Sequence, residues 1–271
     1  MNEIKNSKQL SIIVTHHQTP ELLYLCVKSI KDTVENIKYE IFVADSEAKE
    51  ETEKLILEKW PEVKYIPFKK NLGYSKIINT TLKNPFGEYV LIINADIIVL
   101  DNAVSEMLKF MKQNPEVGIV APQLLDFTNN IQVSCFSKPT IKTILARRTF
   151  LGKTKWGKKI LNKFTIANWD KKSMREVDWV QGSAIMIRKK ALNKVDLLDE
   201  RFFMYFEDAD WCRRFWQNGY KVIYLPKAKM AHYYHRVSKK WGAILDVFLN
   251  KYARIHIISA LKYFWKYKHE I

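Results

Sequence analysis

Tyr89-Val90-Leu91-Ile92-Ile93-Asn94-Ala95-Asp96 is the stretch whose reading decides the fold. Residues 89–93 form an unbroken apolar run, the signature of a strand covered on both faces. The strand ends at Asn94-Ala95-Asp96, where the chain delivers an amide and a carboxylate to the edge of a sheet.

Upstream, short β-rich runs alternate with amphipathic segments. Residues 10–14, 39–44 and 63–67 read as strands; residues 20–34, 50–60 and 73–82 read as helices. Strand alternating with helix implies a parallel sheet with helices packed against it. Downstream, residues 102–113 read as a helix and 117–121 as a strand, before a long, basic and poorly periodic segment, 123–172, of loops and short helices. Residues 177–180 and 184–188 are predicted strands, 207–217 a helix closed by Gly219, and 221–225 a strand. From Lys239 onward the chain reads as helical. No repeat and no Gly/Ser/Pro-rich linker divides the chain. The expected architecture is an α/β catalytic domain, residues 1–238, with a Rossmann-like, mostly parallel central sheet flanked by helices, and a C-terminal helical appendage, residues 239–271. In an open sheet of this kind ligands bind beyond the carboxyl ends of the strands, where Thr15, Asp45 and Asp96 should meet.

Composition narrows the function classes. With 271 residues and 47% hydrophobic content, the chain is sufficient for a packed core. Lysine and arginine total 45 against 29 acidic residues, a net charge of +16 that suits polyanionic surroundings such as nucleic acid, anionic lipid or phosphorylated substrates. Cys26, Cys135 and Cys212 are few, odd in number and far apart, which fits reduced thiols in a cytoplasmic protein better than a disulfide framework. The sequence MNEIKNSKQL has no apolar core of a signal peptide, and no stretch approaches the ~20 apolar residues of a membrane span.

Several groups could carry chemistry. Asp96, at the end of a buried strand, suits a hard cation that also binds phosphates, although an Asp there can simply form a turn. Glu207, Asp208 and Asp210 place three carboxylates within four residues after an aromatic run. Such crowding is costly unless used, and helix capping is the ordinary alternative. His232 and His235 have a spacing that could bring imidazoles to a metal, or they are structural. Asn71-Leu72-Gly73-Tyr74-Ser75 reads as a loop entering a helix, with backbone N–H groups available to phosphate or nucleoside, or as a capped turn.

Taken in order along the chain, these pieces resemble the inverting glycosyltransferase family 2, in its rhamnosyltransferase-like branch with a GT-A fold. The resemblance covers about residues 10–238. It is carried by Ser11-Ile12-Ile13-Val14-Thr15, Val43-Ala44-Asp45-Ser46, Asn71-Leu72-Gly73-Tyr74 with Asn79, and Asn94-Ala95-Asp96. Further on it rests on Val177-Asp178-Trp179-Val180-Gln181-Gly182, Asp199-Glu200-Arg201-Phe202-Phe203, Phe206-Glu207-Asp208-Ala209-Asp210 and His232. The resemblance implies that Thr15, Asp45, Asn71, Gly73, Asn94 and Asp96 bind the nucleotide, Asp45 at the base. It gives a divalent cation, Mg²⁺ or Mn²⁺, to Asp96 and His232. The acceptor or donor sugar would lie near Trp179, Gln181, Gly182 and Glu207. Asp208 would be the general base that takes the acceptor proton, with Glu207 as the alternative.

Two departures bear on the donor. Asn94 stands where many relatives carry Asp, offering a neutral oxygen. Cys135, Phe136 and Ser137 stand where relatives often have arginines. The implied donor is a dTDP-sugar, rhamnose foremost, with UDP- or GDP-sugars as the alternative. The implied acceptor is a saccharide or a polyprenyl-diphosphate-linked sugar in cell-surface polysaccharide synthesis.

Other classes are weaker. The basic cluster Arg147, Arg148, Lys153, Lys155, Lys158, Lys159 and Lys163 has no nucleic-acid motif beside it, so nucleic acid is not an expected partner. A catalytically silent sugar-binding protein would not need Asp45, Asp96, Asp208 and His232 together. In the tail, Lys251, Arg254, Lys262 and Lys266 fall within about 120° of one another on a helix, opposite Leu249, Tyr252, Ala260, Tyr263, Phe264 and Tyr267. With the basic cluster around Trp156, this predicts a peripheral enzyme at an anionic membrane surface, the inner face of the cytoplasmic membrane. The alternative is that the apolar side packs on the catalytic domain or in a homodimer.

Overall fold

A computed structural model describes residues 8–84, 87–233 and 250–270. The first half is the expected alternation: β1 (Leu10–His16), α1 (Pro20–Thr33), β2 (Tyr39–Ser46), α2 (Glu50–Lys59), β3 (Lys64–Phe68), α3 (Tyr74–Thr81) and β4 (Tyr89–Asn94). Then come β5 (Ile97–Val99), α4 (Ala103–Gln113), β6 (Val117–Leu125), β7 (Cys135–Phe136), α5 (Ile141–Arg148) and α6 (Lys155–Phe164). β8 (Arg175–Glu176), β9 (Trp179–Val180), β10 (Ala184–Arg188), α7 (Lys189–Val195), α8 (Glu207–Gln217), β11 (Lys221–His232) and α9 (Lys251–Lys266) complete it.

The main sheet runs β3-β2-β1-β4-β10-β6-β11-β5, with β8 on β11. β3, β2, β1 and β4 are parallel, as are β6 and β11, whereas β10 runs antiparallel between β4 and β6. The strands' alternating side chains feed two apolar layers. Ile12, Val14, Leu91 and Ile93 pack beneath α1 and α4; Ile13, Val90, Ile92 and Ile185 pack with α3, α7 and α8. This two-sided burial is why residues 89–93 carry no polar alternation.

Two strands outrun the sequence reading. β6 continues through Pro122 to Leu125, and β11 through Pro226 to His232. A proline marks the expected end of a strand because it lacks the N–H for the ladder. Here the register shifts between Leu225 and Lys229, and pairing resumes at Lys229 with Gln123. His232 therefore lies in a strand and opposite Ile97 of β5, rather than beyond a connection.

The described part of the tail is α9, and its apolar side packs on the catalytic domain. Ala260, Tyr263 and Tyr267 form one buried cluster with Phe202, Phe206 and Ala209. The expected basic side is divided. Lys266 reaches Asp199 at 2.8 Å and Asp210 at 2.5 Å, and Lys262 donates to the Arg201 carbonyl at 2.7 Å. Lys251 and Arg254 stand exposed at the start of the helix. Leu249, His235, the stretch 239–249 and the expected boundary at 238 lie outside the described residues. Among the described residues no helix is long and apolar enough to cross a membrane.

Candidate active site

Parallel register aligns the carboxyl ends of β1, β2 and β4, pairing His16 with Asp45 and Thr15 with Asn94. The Thr15 hydroxyl donates to Asn94 Oδ1 at 2.9 Å, and the Ala95 amide donates to the Thr15 carbonyl at 2.8 Å. From the other flank the Asn94 amide donates to the Ser183 carbonyl at 2.9 Å. The turn that carries Asp96 is thus fixed from both neighbouring strands before β5 begins.

Asp96 Oδ1 is buried with no hydrogen-bond partner within the protein, and Oδ2 lies 3.6 Å from His232 Nε2. Gln132 sets the imidazole. Its Nε2 donates to the His232 carbonyl at 2.9 Å, which turns its Oε1 toward His232 Nδ1, also at 2.9 Å. An amide oxygen only accepts, so Nδ1 carries the proton and Nε2 presents a lone pair toward Asp96. A carboxylate and an imidazole lone pair facing one another, beside an orphaned carboxylate oxygen, are a donor set for a divalent cation. The residues present fit one; two protein ligands would leave positions for phosphate oxygens and water.

The acidic pair stands on the other side of Tyr74. Gly73 enters α3 at φ 84°, and a Cβ there would meet the Phe203 carbonyl oxygen at 2.5 Å, so only glycine fits both the backbone and the space. Asn71 Oδ1 accepts from the Gly73 amide at 3.0 Å, and the Tyr74 amide donates to the Phe203 carbonyl at 2.7 Å. The Tyr74 hydroxyl then donates to the Gly182 carbonyl at 2.7 Å, and the Gly182 amide donates to Asp208 Oδ2 at 3.1 Å. Burial, followed by the charges of Glu207, Asp208 and Asp96, pushes the Tyr74 hydroxyl well above its ordinary value. The Tyr74 hydroxyl thus lies within electrostatic reach of all three carboxylates, Glu207, Asp208 and Asp96.

Within the pair the environments diverge. Burial raises the Asp208 carboxyl to about 6, held there by amide hydrogen bonds from Gly182 and Ala209 and by the charge of Arg147. Glu207 goes well above its ordinary value, through burial first and the charge of Asp208 second, and its Oε2 has no partner within the protein. Of the two carboxyls Asp208, partly exposed and anchored by backbone amides, is the less strongly raised and so the better placed to act as a base. Tyr205 and Phe206, which precede the pair, both adopt left-handed backbone, φ 69° and 68°. Two aromatic residues in that region cost on the order of 1–3 kcal/mol each. Phe206 is held there by its contacts with Tyr263 and Phe264 of α9.

Asp45 is more enclosed than a base-reading carboxylate needs to be. Its Oδ1 accepts from His16 Nδ1 at 2.6 Å and its Oδ2 accepts from the Tyr65 hydroxyl. The Thr19 amide donates to His16 Nε2 at 2.8 Å, which fixes the proton on Nδ1. Trp179 stacks on Phe136, ring centroids 4.4 Å apart, and its Nε1 donates to the Ser137 carbonyl at 3.0 Å. The Gln181 amide donates to the Ser134 carbonyl at 2.8 Å, so the 177–182 segment is tied to 134–137 and arrives at the crevice with Gly182.

Thr15, Asn94, Asp96, His232, Gly182, Glu207 and Asp208 thus converge, Asn71 and Gly73 shape the Tyr74 loop, and Trp179 stands one shell away. Tyr74, Gln132, His16 and Tyr65 are partners that sequence reasoning passed over. Tyr74 was visible in the quoted motif; Gln132 lies 100 residues from His232, and only the pairing of β6 with β11 brings the two together.

The model of the family described as "Glycosyl transferase family 2" matches residues 11–196. N-acetylglucosaminyl-diphospho-decaprenol L-rhamnosyltransferase of Mycobacterium tuberculosis is 26% identical over 208 residues, 71% of this chain and 66% of that protein. Rhamnosyltransferase WbbL of Escherichia coli is 25% identical over 176 residues, 65% of this chain and 61% of that protein. The chain thus spans somewhat under two thirds of the length of these curated relatives. Among solved structures, GalNAc-T7 with UDP, GalNAc and Mn²⁺ superposes with a TM-score of 0.62 at 15% identity, over 85% of this chain and 45% of that one. Mannosyltransferase PcManGT from Pyrobaculum calidifontis, in complex with GDP-Man and Mn²⁺, gives 0.59 at 16% identity, over 95% and 65%. These likenesses establish the GT-A fold.

Proposed function

From the premise that this chain belongs to glycosyl transferase family 2, we propose that it moves a sugar from a nucleotide diphosphate donor to an acceptor hydroxyl with inversion at the anomeric carbon. The observation that carries the reading is the acidic pair: a partly exposed Asp208 anchored by the amides of Gly182 and Ala209, beside a buried Glu207 whose carboxyl burial pushes further up. Asp208 takes the proton of the acceptor hydroxyl as that oxygen attacks the anomeric carbon and the bond to the diphosphate breaks. Asp96 and His232 would hold a divalent cation, Mg²⁺ or Mn²⁺, which would offset the charge of the departing diphosphate. Thr15, Asp45, Asn71, Gly73 and Asn94 border the nucleotide; Trp179, Gln181 and Gly182 border the sugars.

The donor is a dTDP-sugar, rhamnose foremost, and the acceptor a saccharide or a polyprenyl-diphosphate-linked sugar. The names of the Mycobacterium and Escherichia relatives support rhamnose as the sugar, and the Mycobacterium name supports a polyprenyl-diphosphate-linked acceptor. Such an acceptor places the enzyme peripherally on the inner face of the cytoplasmic membrane, in polysaccharide synthesis. The test is release of nucleoside diphosphate from a panel of dTDP-, UDP- and GDP-sugars with Mg²⁺ or Mn²⁺, with the product anomer read by NMR. Transfer with a β-configured product from an α-configured donor, or the reverse, is expected; no release from any donor sinks the proposal.

A further inference from the structure

Seven of the fourteen exposed large apolar side chains among the described residues lie in two short segments, 141–156 and 258–265. On α9, Ile258, Leu261 and Trp265 fall within about 60° of one another at 3.6 residues per turn. They face away from the buried Ala253, His256, Ala260 and Tyr263, with Leu261 66% and Trp265 72% exposed. On the other segment Ile141 and Leu145 form the outer side of α5, Phe150 is 75% exposed in the turn that follows, and Trp156 opens α6. The two segments are neighbours, because Ile144 of α5 packs on the cluster that contains Ala260 and Tyr263 of α9.

Charge says what covers these side chains. From Phe127 to Trp169 the sequence has no acidic residue and nine lysines and arginines, and from Val247 to His269 it has none and five. On α9 the exposed Lys251, Arg254, Lys262 and Lys268 flank the apolar ridge, with the Lys268 ammonium 4.3 Å above the Trp265 ring. Lys142, Lys155, Lys158 and Lys159 do the same on α5 and α6. A symmetric pair of chains meeting through this face would set one basic patch against its own copy. Nucleic acid would use the cations and could stack on the rings, but would leave the aliphatic Ile141, Leu145, Ile258 and Leu261 in water. We infer that the joined outer faces of α5, α6 and α9 are a docking surface for an anionic lipid bilayer, with Trp265, Leu261, Phe150 and Trp156 entering the interface and the lysines meeting lipid phosphates. The surface adjoins the acceptor side of the site, since Arg147 of α5 is close enough for its charge to act on Asp208. This deepens the proposed function by naming the membrane face, but vesicle binding itself does not depend on catalysis.

The experiment is co-sedimentation of the full chain with vesicles of phosphatidylglycerol and phosphatidylcholine, against phosphatidylcholine alone, at low and high salt. The unaltered protein should sediment with the anionic vesicles and be released by salt. Leu261→Glu/Trp265→Glu and Phe150→Glu/Trp156→Glu should each lower the partition coefficient about tenfold or more, while Leu55→Glu, on an exposed face of α2, leaves it unchanged. Equal melting temperatures show that the variants are folded, and donor hydrolysis without vesicles should be equal in all. Indifference of the unaltered protein to anionic vesicles overturns the inference, as does full binding by both glutamate pairs. So does a dimer that the glutamates dissociate with no vesicle binding in any form.

Discussion

The backbone amide of Gly182 donates to Asp208 Oδ2 at 3.1 Å, while the Gly182 carbonyl accepts from the Tyr74 hydroxyl at 2.7 Å. One residue thereby fixes a carboxylate on the acidic segment and a hydroxyl on the α3 loop, 108 positions from it in sequence. Asp208→Asn keeps the shape and removes the base, so transfer should fall by about 10²- to 10⁴-fold. Nucleotide affinity, by titration calorimetry, should stay within about twofold. Glu207→Gln should retain most of the activity, because burial and the charge of Asp208 favour the neutral form of Glu207, which glutamine mimics; the opposite ranking would move the base to Glu207.

Because burial lifts the Asp208 carboxyl to about 6, the base is available only above that pH. The kcat/KM profile should rise through an acid limb near pH 6 and level off above it, a limb that belongs to the Glu207–Asp208 pair as a unit. Stability runs the other way for Glu207. A carboxyl raised on folding contributes stability that is fully present below its unfolded value and lost as pH rises toward its folded one. The glutamine variant escapes that loss, so its melting temperature should exceed that of the unaltered protein by more at pH 8 than at pH 5. A constant offset would contradict an upward shift of the Glu207 carboxyl.

The Asp96–His232 pair makes its own expectation. Chelator should abolish transfer, and Asp96→Ala should weaken nucleoside diphosphate more than nucleoside. Gln132→Ala frees the His232 tautomer without removing a ligand and should cost about 10- to 100-fold in cation affinity, measured by Mn²⁺ titration. Full activity in excess chelator would remove the cation from the mechanism.

How much of this was legible in the sequence depends on the range of the interaction. The unbroken apolar run at residues 89–93 fixed the central strand, and its abrupt end pointed to Asp96. Asp208 is singled out by its motif alone, since nothing local in the sequence distinguishes it from Asp210. The three-residue β5, the continuation of β6 and β11 past Pro122 and Pro226, and the Gln132–His232 contact depend on pairing between distant segments. In the tail, apolar residues occur on both sides of α9, so periodicity alone could not say which side is buried. Packing against Phe202 and Phe206 decides it.

The last expectation concerns α9, which the sequence presented as an appendage and whose end reaches the first turn of α8 through Lys266 and Tyr267. Asp210 is fully buried in the first turn of α8, two residues past Asp208. Its oxygens accept from Arg214 Nε at 2.9 Å, Lys266 Nζ at 2.5 Å and the Tyr267 hydroxyl at 2.8 Å. Lys266 also reaches Asp199, whose carboxyl burial would raise but which hydrogen bonds from Arg201 and Lys266 hold well below the usual range. Lys266→Met removes one cation from two carboxylates at once, and taking away one partner of a buried pair costs about 3–5 kcal/mol, less here because Lys266 keeps some solvent. The melting temperature of the full chain should drop by several degrees at pH 7. A depressed carboxyl contributes stability that is present above its unfolded value and lost as pH falls toward its folded one. The deficit of the methionine variant should therefore narrow below pH ~4. Tyr267→Phe, which removes one hydrogen bond and keeps the packing, should lose only about 1 kcal/mol. Because α8 carries Asp208, the proposed base, transfer by Lys266→Met should fall in kcat more than it rises in KM. A variant with unchanged melting temperature and unchanged kcat would return α9 to the status of an appendage.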